Sequence, residues 1–467
     1  MVMILGCLGA VGMLYADGVT PQLIPSGYAS FGLGEIVNGS SDQPGGLGYL
    51  SGLTGAQVDH VFMERNFVGM NLETKFNPLP IQTNLGVEME VYNETPFTSS
   101  DNGIFESLFD FTYLTRADFV YSPSKAFNLD FGYFPFKYNP DARNLGEYLF
   151  RTGTYPGFIQ TNFDFPLARL SGLWMSGNAF DGFNWDALLT INTQYATIGD
   201  MNLTGIFSYQ PIKFFEIGGG VSFCSIISAN SENTHPTYNS LAAKGNEDDD
   251  YDPVANIVKT STGYDTSYSY STYTFAGTKL MARISLDPKQ LLPDEIKGIF
   301  GENDAKIYSE ATILGVKDYP VSIDGLTDYT DVWKRTPVMF GFNVPTFKLL
   351  DVLSVEGEYY GSPYPDDMSA IVVNGVPTPL NTITESNNNP KGIELSDYSD
   401  SLSGHWKWSV YAKKTILNHF NITAQVARDH YRYEFGGDYG SQATYGMLAA
   451  LTKPGDYYYI AKLGYDF

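Results

Sequence analysis

The sequence is poor in basic residues and in cysteine. Its 467 residues contain 28 Lys and Arg against 52 Asp and Glu, which gives a formal net charge of −24 at pH 7. Phosphate binding needs clustered Lys and Arg, so this balance argues against a nucleic-acid partner. The two cysteines, Cys7 and Cys224, are too few for a disulfide framework.

The sequence also lacks an apolar run of the ~20 residues that a membrane-spanning helix needs. The N-terminal stretch MVMILGCLGAVGMLYADG is apolar but shorter, and it has the character of a signal peptide that is cleaved after Ala16. A lipoprotein cleavage site at Cys7 is the weaker alternative. We therefore expect residues 1–16 to be a signal peptide and residues 17–467 to form one domain, which could enter a membrane only as a barrel of strands.

Aromatic residues and glycine are abundant, with 34 Tyr, 31 Phe and 47 Gly. This composition favours strands and interfacial aromatic girdles over helices. The final stretch YYYIAKLGYDF has apolar or aromatic residues at every second position back from the end, namely Phe467, Tyr465, Leu463, Ala461, Tyr459 and Tyr457. A period of two predicts a strand with one apolar face.

Similar alternation recurs along the chain. The stretches RNFVGMNLETKF, TNLGVEMEVY, DVLSVEGEYY and HWKWSVYAKK all place apolar residues on one face and polar residues on the other. Segments of about ten residues with this pattern, separated by turn residues, are typical of strands in an outer-membrane barrel. They predict an all-β fold, a transmembrane antiparallel up-and-down β-barrel of about 16 strands.

The connections between these segments alternate between short and long. The stretches NPLP, SPSK, QPIK, PTFK and ILNH are short, whereas residues 38–57, 95–105, 137–164, 225–272, 317–332, 361–404 and 434–456 are long. Residues 287–303 are a long exception that could hold a small helix. Outer-membrane barrels have short periplasmic turns and long extracellular loops, so this order favours a barrel over a soluble sandwich.

The terminal strand, with Tyr465 and Phe467, resembles the membrane insertion signature that the barrel insertion machinery of Gram-negative bacteria reads. Over nearly its whole mature length the chain is similar to the general porin class. The resemblance implies a bacterial outer-membrane protein that forms a water-filled channel for passive diffusion of ions and small hydrophilic solutes. It also implies outer-membrane lipids as surroundings and a homotrimer, and it implies no cofactor.

The third long connection carries four charged residues within a short stretch, Asp141, Arg143, Glu147 and Arg151. In porins of this size, as the resemblance implies, the third loop folds into the lumen and forms the pore constriction. A brief helix over ARNLGEYLF would place Arg143, Glu147 and Arg151 on one face, although Gly146 weakens it. The alternative is a surface loop with local salt bridges.

Charged residues on the predicted strands are expected to face the lumen, because they cost a few kcal/mol on the lipid face near the middle of the membrane. The candidates for the pore wall are Arg116, Asp118, Arg169, Lys279, Arg283, Glu356, Glu358 and Lys407. The net negative charge predicts a weak preference for cations at the pore mouths.

Other functions are less well supported by the residues. A hydrolase could use His405, His430 and Asp429, but no Ser stands at a suitable spacing, and two His are too few for a closed zinc site. We therefore predict no enzyme and no metal site, although the acidic stretch NEDDDYD could hold Ca²⁺ instead of being solvated. A substrate-specific channel, or a barrel whose long loops mediate adhesion or polymer binding, stays open as an alternative.

Overall fold

The computed structural model describes residues 18–42, 57–94, 112–151, 159–162, 165–193, 199–227, 229, 237–238, 251–252, 257–258, 272–273, 277–316, 332–361, 406–429, 432–435, 447–451 and 455–467. The predicted signal peptide, His405, His430 and residues 246–250 of the acidic stretch lie outside these ranges. Most of the predicted long loops do so too, and their lengths therefore stay a prediction.

The described residues form almost only strands. In chain order they are β1 Thr20–Asp42, β2 Gln57–Asn77, β3 Ile81–Glu94, β4 Thr112–Ser124, β5 Phe127–Phe136, β6 Ile159–Asn162, β7 Phe165–Phe180, β8 Phe183–Ile191, β9 Met201–Ile212, β10 Phe215–Ile227, β11 Thr237–Tyr238, β12 Tyr251–Asp252, β13 Ile257–Val258, β14 Thr272–Tyr273, β15 Gly277–Leu286, β16 Ile307–Ile313, β17 Val338–Asn343, β18 Val352–Tyr359, β19 Trp406–Ile416, β20 Phe420–Arg428, β21 Arg432–Phe435, β22 Met447–Ala450 and β23 Tyr457–Asp466.

Sixteen of these strands close into a ring, and each pairs antiparallel with its neighbours. The ring consists of β1 to β5, β7 to β10, β15 to β20 and β23. Strand β23 pairs with β20 on one side and with β1 on the other, where Tyr28 lies opposite Asp466 and Asn38 lies opposite Tyr457. The prediction of an antiparallel barrel of about 16 strands is confirmed, and the last strand closes the ring against the first.

The two faces of the wall differ in chemistry, because successive side chains of a strand point to opposite faces. On β2 the outward residues Val68, Met70 and Leu72 are exposed, and Met70 has 59% of its surface accessible. On β18 the outward Val355 is exposed, whereas its neighbour Glu356 is only 2% exposed. The outer surface is therefore apolar and the inner face carries the charges, as expected for a barrel whose wall contacts lipid.

Short helices occur in two of the connections between strands, β15 to β16 and β16 to β17. A 3₁₀ helix spans Pro288–Leu291 and a single α-helical turn, α1, spans Asp294–Lys297, which confirms the small helix expected within residues 287–303. A third short helix, of 3₁₀ type, covers Val332–Arg335. In the part of the chain that the structure describes, none of the helices has the length and apolarity to span a membrane.

Candidate functional site

A stretch of chain after β5 crosses the barrel interior. Residues 137–151, called the crossing segment below, follow Phe136 and reach Glu356 on β18. Counting around the ring from β5, the next strands are β7, β8, β9, β10, β15, β16, β17 and β18. Strand β18 is thus the eighth strand after β5 in a ring of sixteen and lies opposite β5. The segment therefore spans the lumen from one wall to the opposite wall.

The crossing segment contains bends and turns, and the helix predicted over ARNLGEYLF is wrong. Gly146 has a φ of +88° and Glu147 a φ of +60°, and neither value belongs to a right-handed helix. A Cβ at position 146 would also meet the Met339 Cε atom at 2.7 Å. Contacts with the far wall thus override the weak helical preference of this stretch.

Two wall carboxylates hold the backbone of the crossing segment. Glu356 on β18 accepts N–H bonds from Arg143 at 2.5 Å and from Asn144 and Leu145 at 2.9 Å each. Glu310 on β16 accepts the N–H groups of Glu147 at 3.2 Å and of Tyr148 at 2.9 Å. Hydrogen bonds to charged groups contribute about 1.5–3 kcal/mol each, so these carboxylates fix the path of the segment.

Side chains add to this attachment. The Tyr148 hydroxyl donates to Glu358 at 2.7 Å, and the Tyr138 hydroxyl donates to Glu310 at 2.6 Å. On β15, next to β16, the Lys279 ammonium donates to the segment's carbonyls, at 3.4 Å from residues 148 and 149 and at 3.0 Å from residue 151. Carboxylates of the wall thus accept hydrogen bonds from the segment, and an ammonium of the wall donates hydrogen bonds to its carbonyls.

Two of the predicted constriction residues stabilise the segment internally. The Glu147 carboxylate accepts the backbone N–H groups of Tyr138 and Asn139, and the Arg151 guanidinium donates to the carbonyls of Gly146 at 2.9 Å and Asn144 at 2.8 Å. Burial raises the pKa of Glu147 to about 8, although the charge of Lys137 opposes the rise.

Apolar side chains seat the segment against both walls. Tyr138, Leu149 and Phe150 pack with near-wall residues that include Phe134, Phe136, Leu170, Leu188 and Ile206. Ala142, Leu145 and Tyr148 pack with Tyr308, Met339 and Tyr360 on the far side. Full burial of a large apolar side chain contributes about 1.5–3 kcal/mol. Packing therefore stabilises the position of the segment by an amount similar to that of the hydrogen bonds.

Three basic residues lie on or beside the crossing segment around residues 141–143. Lys306 pairs with the Asp141 carboxylate at 3.2 Å, and the Ser285 hydroxyl donates to it at 2.6 Å. Lys137 donates to the neighbouring carbonyl of Ala142 at 2.6 Å, and the Arg143 guanidinium donates to Asn303. Burial favours the protonated form of Asp141, but the Lys306 charge and the Ser285 bond outweigh it and hold the pKa of this carboxyl below its ordinary value.

The structure therefore brings the four predicted constriction residues into one segment within the lumen. Asp141, Glu147 and Arg151 are buried there, and Arg143 is partly exposed. Of the predicted wall residues, Lys279, Glu356 and Glu358 contact the segment directly.

The other predicted wall residues form pairs with neighbours on the wall. Arg116 bonds Asp118 at 2.5 Å, Arg169 lies 3.5 Å from Glu88, Arg283 pairs with Glu216 at 2.6 Å, and Lys407 donates to the Asp429 carbonyl at 3.0 Å. The terminal residues Tyr465 and Phe467 are exposed on the outer face, and the backbone of Phe467 pairs with Gly27 of β1.

The sequence did not single out Glu310 as a site residue, although the alternation on β16 places it on the inward face. The sequence did not single out Asn144 of the crossing segment either. Its side-chain amide donates to the Asp429 carboxylate at 2.5 Å. Alternation marked Glu310 only as one of the inward-facing acidic residues. Its partners lie more than 160 residues away in sequence, so no local pattern could have predicted the contact.

Comparisons with known proteins bear on the fold only. No family model matches the chain, and no curated protein matches it. Among solved structures, a triple mutant of the Rhodopseudomonas blastica porin is similar, with 8% identity, a TM-score of 0.43, and coverage of 96% of this chain and 100% of that one. Pseudomonas putida OprB is similar with 10% identity, a TM-score of 0.45, and coverage of 95% and 94%.

These similarities are too distant to support an argument about function, and the architecture follows from the strand pairing itself. A closed ring of sixteen antiparallel strands with an apolar outer wall and a polar interior is the architecture of bacterial outer-membrane barrels. By fold, this chain is a closed antiparallel β-barrel of that architecture.

Proposed function

We propose that the protein is a passive channel of the bacterial outer membrane, through which ions and small hydrophilic solutes diffuse. The observation that supports this best is the crossing segment, which is fixed across a polar interior by Glu310 and Glu356. A channel selects by the diameter and the charge of its narrowest part. In this proposal the segment is the constriction and carries Asp141, Arg143, Glu147 and Arg151.

Finer features of the proposal come from the sequence. Residues 1–16 would direct export, and the terminal Tyr465 and Phe467 would be read by the barrel insertion machinery. The net charge of −24 would attract cations to the mouths, which gives a weak cation preference at low ionic strength, where screening is weak. A homotrimer is part of the proposal, and catalysis is not.

Single-channel recording tests the proposal. Refolded protein in a planar bilayer is expected to give stable, ohmic conductance steps, because a fixed constriction leaves a path of constant width. The control is a mock-refolded sample without protein. If the folded and inserted protein gives no steps, the lumen is closed and the proposal is wrong.

The alternative, adhesion or polymer binding by the long loops, makes a separate prediction. Deleting most of residues 361–404, which lie between β18 and β19, should leave the conductance nearly unchanged if the barrel alone forms the channel. The measurement is single-channel conductance of the deletion variant beside the full chain. If the deletion abolishes binding of the protein to a surface polymer while the channel persists, the loops have the additional role.

A further inference from the structure

Among the described residues, the charged side chains that are partly exposed inside the barrel are mostly basic. The count covers the inward positions of the strands, the crossing segment, and Lys306, which contacts that segment. Eight basic side chains in this set are at least partly exposed: Lys75, Arg116, Lys137, Arg143, Lys306, Lys407, Lys413 and Lys462. The corresponding acidic side chains are four: Glu73, Asp186, Glu216 and Asp466.

The other inward carboxylates are covered. Glu310, Glu356 and Glu358 are each at most 2% exposed. Glu356 accepts three backbone N–H groups and the Tyr308 hydroxyl, so its oxygens are already saturated with donors. A carboxylate in this state offers no accessible oxygen to a passing cation. Accessible charge inside the barrel therefore differs in sign from the net charge of the chain.

Three of these basic residues lie close together at the crossing segment. They are Lys137, Arg143 and Lys306, called the basic cluster below; Lys137 bonds the Ala142 carbonyl, Lys306 pairs with Asp141, and the Arg143 charge also acts on Asp141. The Lys306 side chain is 23% exposed, whereas that of Asp141 is 7% exposed. Burial lowers the pKa of Lys137 to about 8, and the charges of Glu147 and Glu356 oppose this shift.

We infer that the basic cluster is a binding site for small oxyanions, carboxylates or inorganic phosphate, on the path through the barrel. This inference rests on the proposed channel function and specifies its solute class. Guanidinium and ammonium groups form charge-assisted hydrogen bonds with carboxylate and phosphate oxygens. Asp141 is buried beneath the basic residues, where it positions Lys306 while contributing little contact surface of its own.

A basic cluster inside the barrel and acidic mouths together make the ion selectivity depend on the salt concentration. The Debye length is about 10 Å at 0.1 M and about 3 Å at 1 M, so high salt screens the mouths more than it screens a solute in contact with the cluster. We expect the chloride-to-potassium permeability ratio to exceed one in about 1 M KCl and to fall at lower salt, as the acidic mouths gain influence.

The test is the reversal potential of single channels in KCl gradients, for the wild type and for the double variant Arg143→Gln, Lys306→Gln. Each lost charge should lower the anion permeability about threefold and raise the cation permeability about threefold, the effect of a unit charge acting across roughly 6 Å of water, so the anion-to-cation ratio should fall about tenfold. Lys125→Gln, in the exposed turn between β4 and β5, is the matched control and should leave the ratio unchanged. If the double variant does not fold, Arg143→Gln alone replaces it.

Inorganic phosphate provides a second readout on the unmodified protein. Added phosphate should reduce the chloride current of the wild type and of Lys125→Gln, and should affect the Arg143 variant less. A wild type that conducts normally but has a permeability ratio of one or less in about 1 M KCl and no block by phosphate would overturn the inference. A folded protein without any conductance would instead overturn the channel function on which the inference rests.

Discussion

Replacing Glu356 with Ala is expected to increase the single-channel conductance and its fluctuations, because the far end of the crossing segment loses its anchor. The variant leaves the N–H groups of residues 143, 144 and 145 without their acceptor inside the barrel. Unsatisfied buried groups cost about 1–3 kcal/mol each, so the total loss is at least about 3 kcal/mol. That loss shifts the balance between seated and released segment about a hundredfold or more.

The measurement is the conductance of single channels of the refolded variant, compared with the wild type at the same salt concentration. Glu73→Ala is the matched control, because Glu73 is also an inward-facing carboxylate but pairs with Lys75 on its own strand. Glu356→Gln should have an intermediate effect, since its amide keeps one acceptor oxygen for three donors. A quiet Glu356→Ala channel of wild-type conductance would contradict the assignment of the segment as the constriction.

Replacing Met70 with Arg is expected to impair insertion of the barrel into bilayers. Met70 is 59% exposed on the outward face of β2, between the exposed Val68 and Leu72. Arg on the lipid face near the midplane of a membrane costs about 2–4 kcal/mol. An outer surface exposed to water in a soluble protein would tolerate the same substitution with a change within about 0.5 kcal/mol.

The measurement is the folded fraction in phospholipid vesicles as a function of urea concentration. Asn71→Arg is the matched control, because Asn71 is the next residue on the same strand and its side chain points to the interior. It should shift the unfolding midpoint much less than Met70→Arg does. Equal shifts for the two variants would contradict the assignment of the outer face of β2 to lipid.

The sequence alone determined the fold class, since alternation is a local property. In DVLSVEGEYY the two faces of β18 can be told apart from neighbouring residues, and the structure places Val355 outside and Glu356 inside. The same reasoning identified the terminal strand. In both cases a strand's own residues carry the information, because the side-chain period of a strand is two.

Local patterns did not determine the conformation of the crossing segment. The spacing of Arg143, Glu147 and Arg151 suggested one face of a helix, whereas Gly146 and Glu147 adopt left-handed backbone conformations. A short helix gains little stability by itself, and so contacts with distant strands decide the conformation.

The sequence by itself thus determined which residues face lipid and which face the interior. Only the tertiary structure decided what the interior charges do. Glu310 and Glu356 are both acidic, inward-facing residues, yet they bind backbone N–H groups of a segment more than 160 residues earlier in the chain. Lys306 remains partly exposed beside Asp141. Accessibility depends on which distant groups cover a charge, and closure of the barrel brings those groups together.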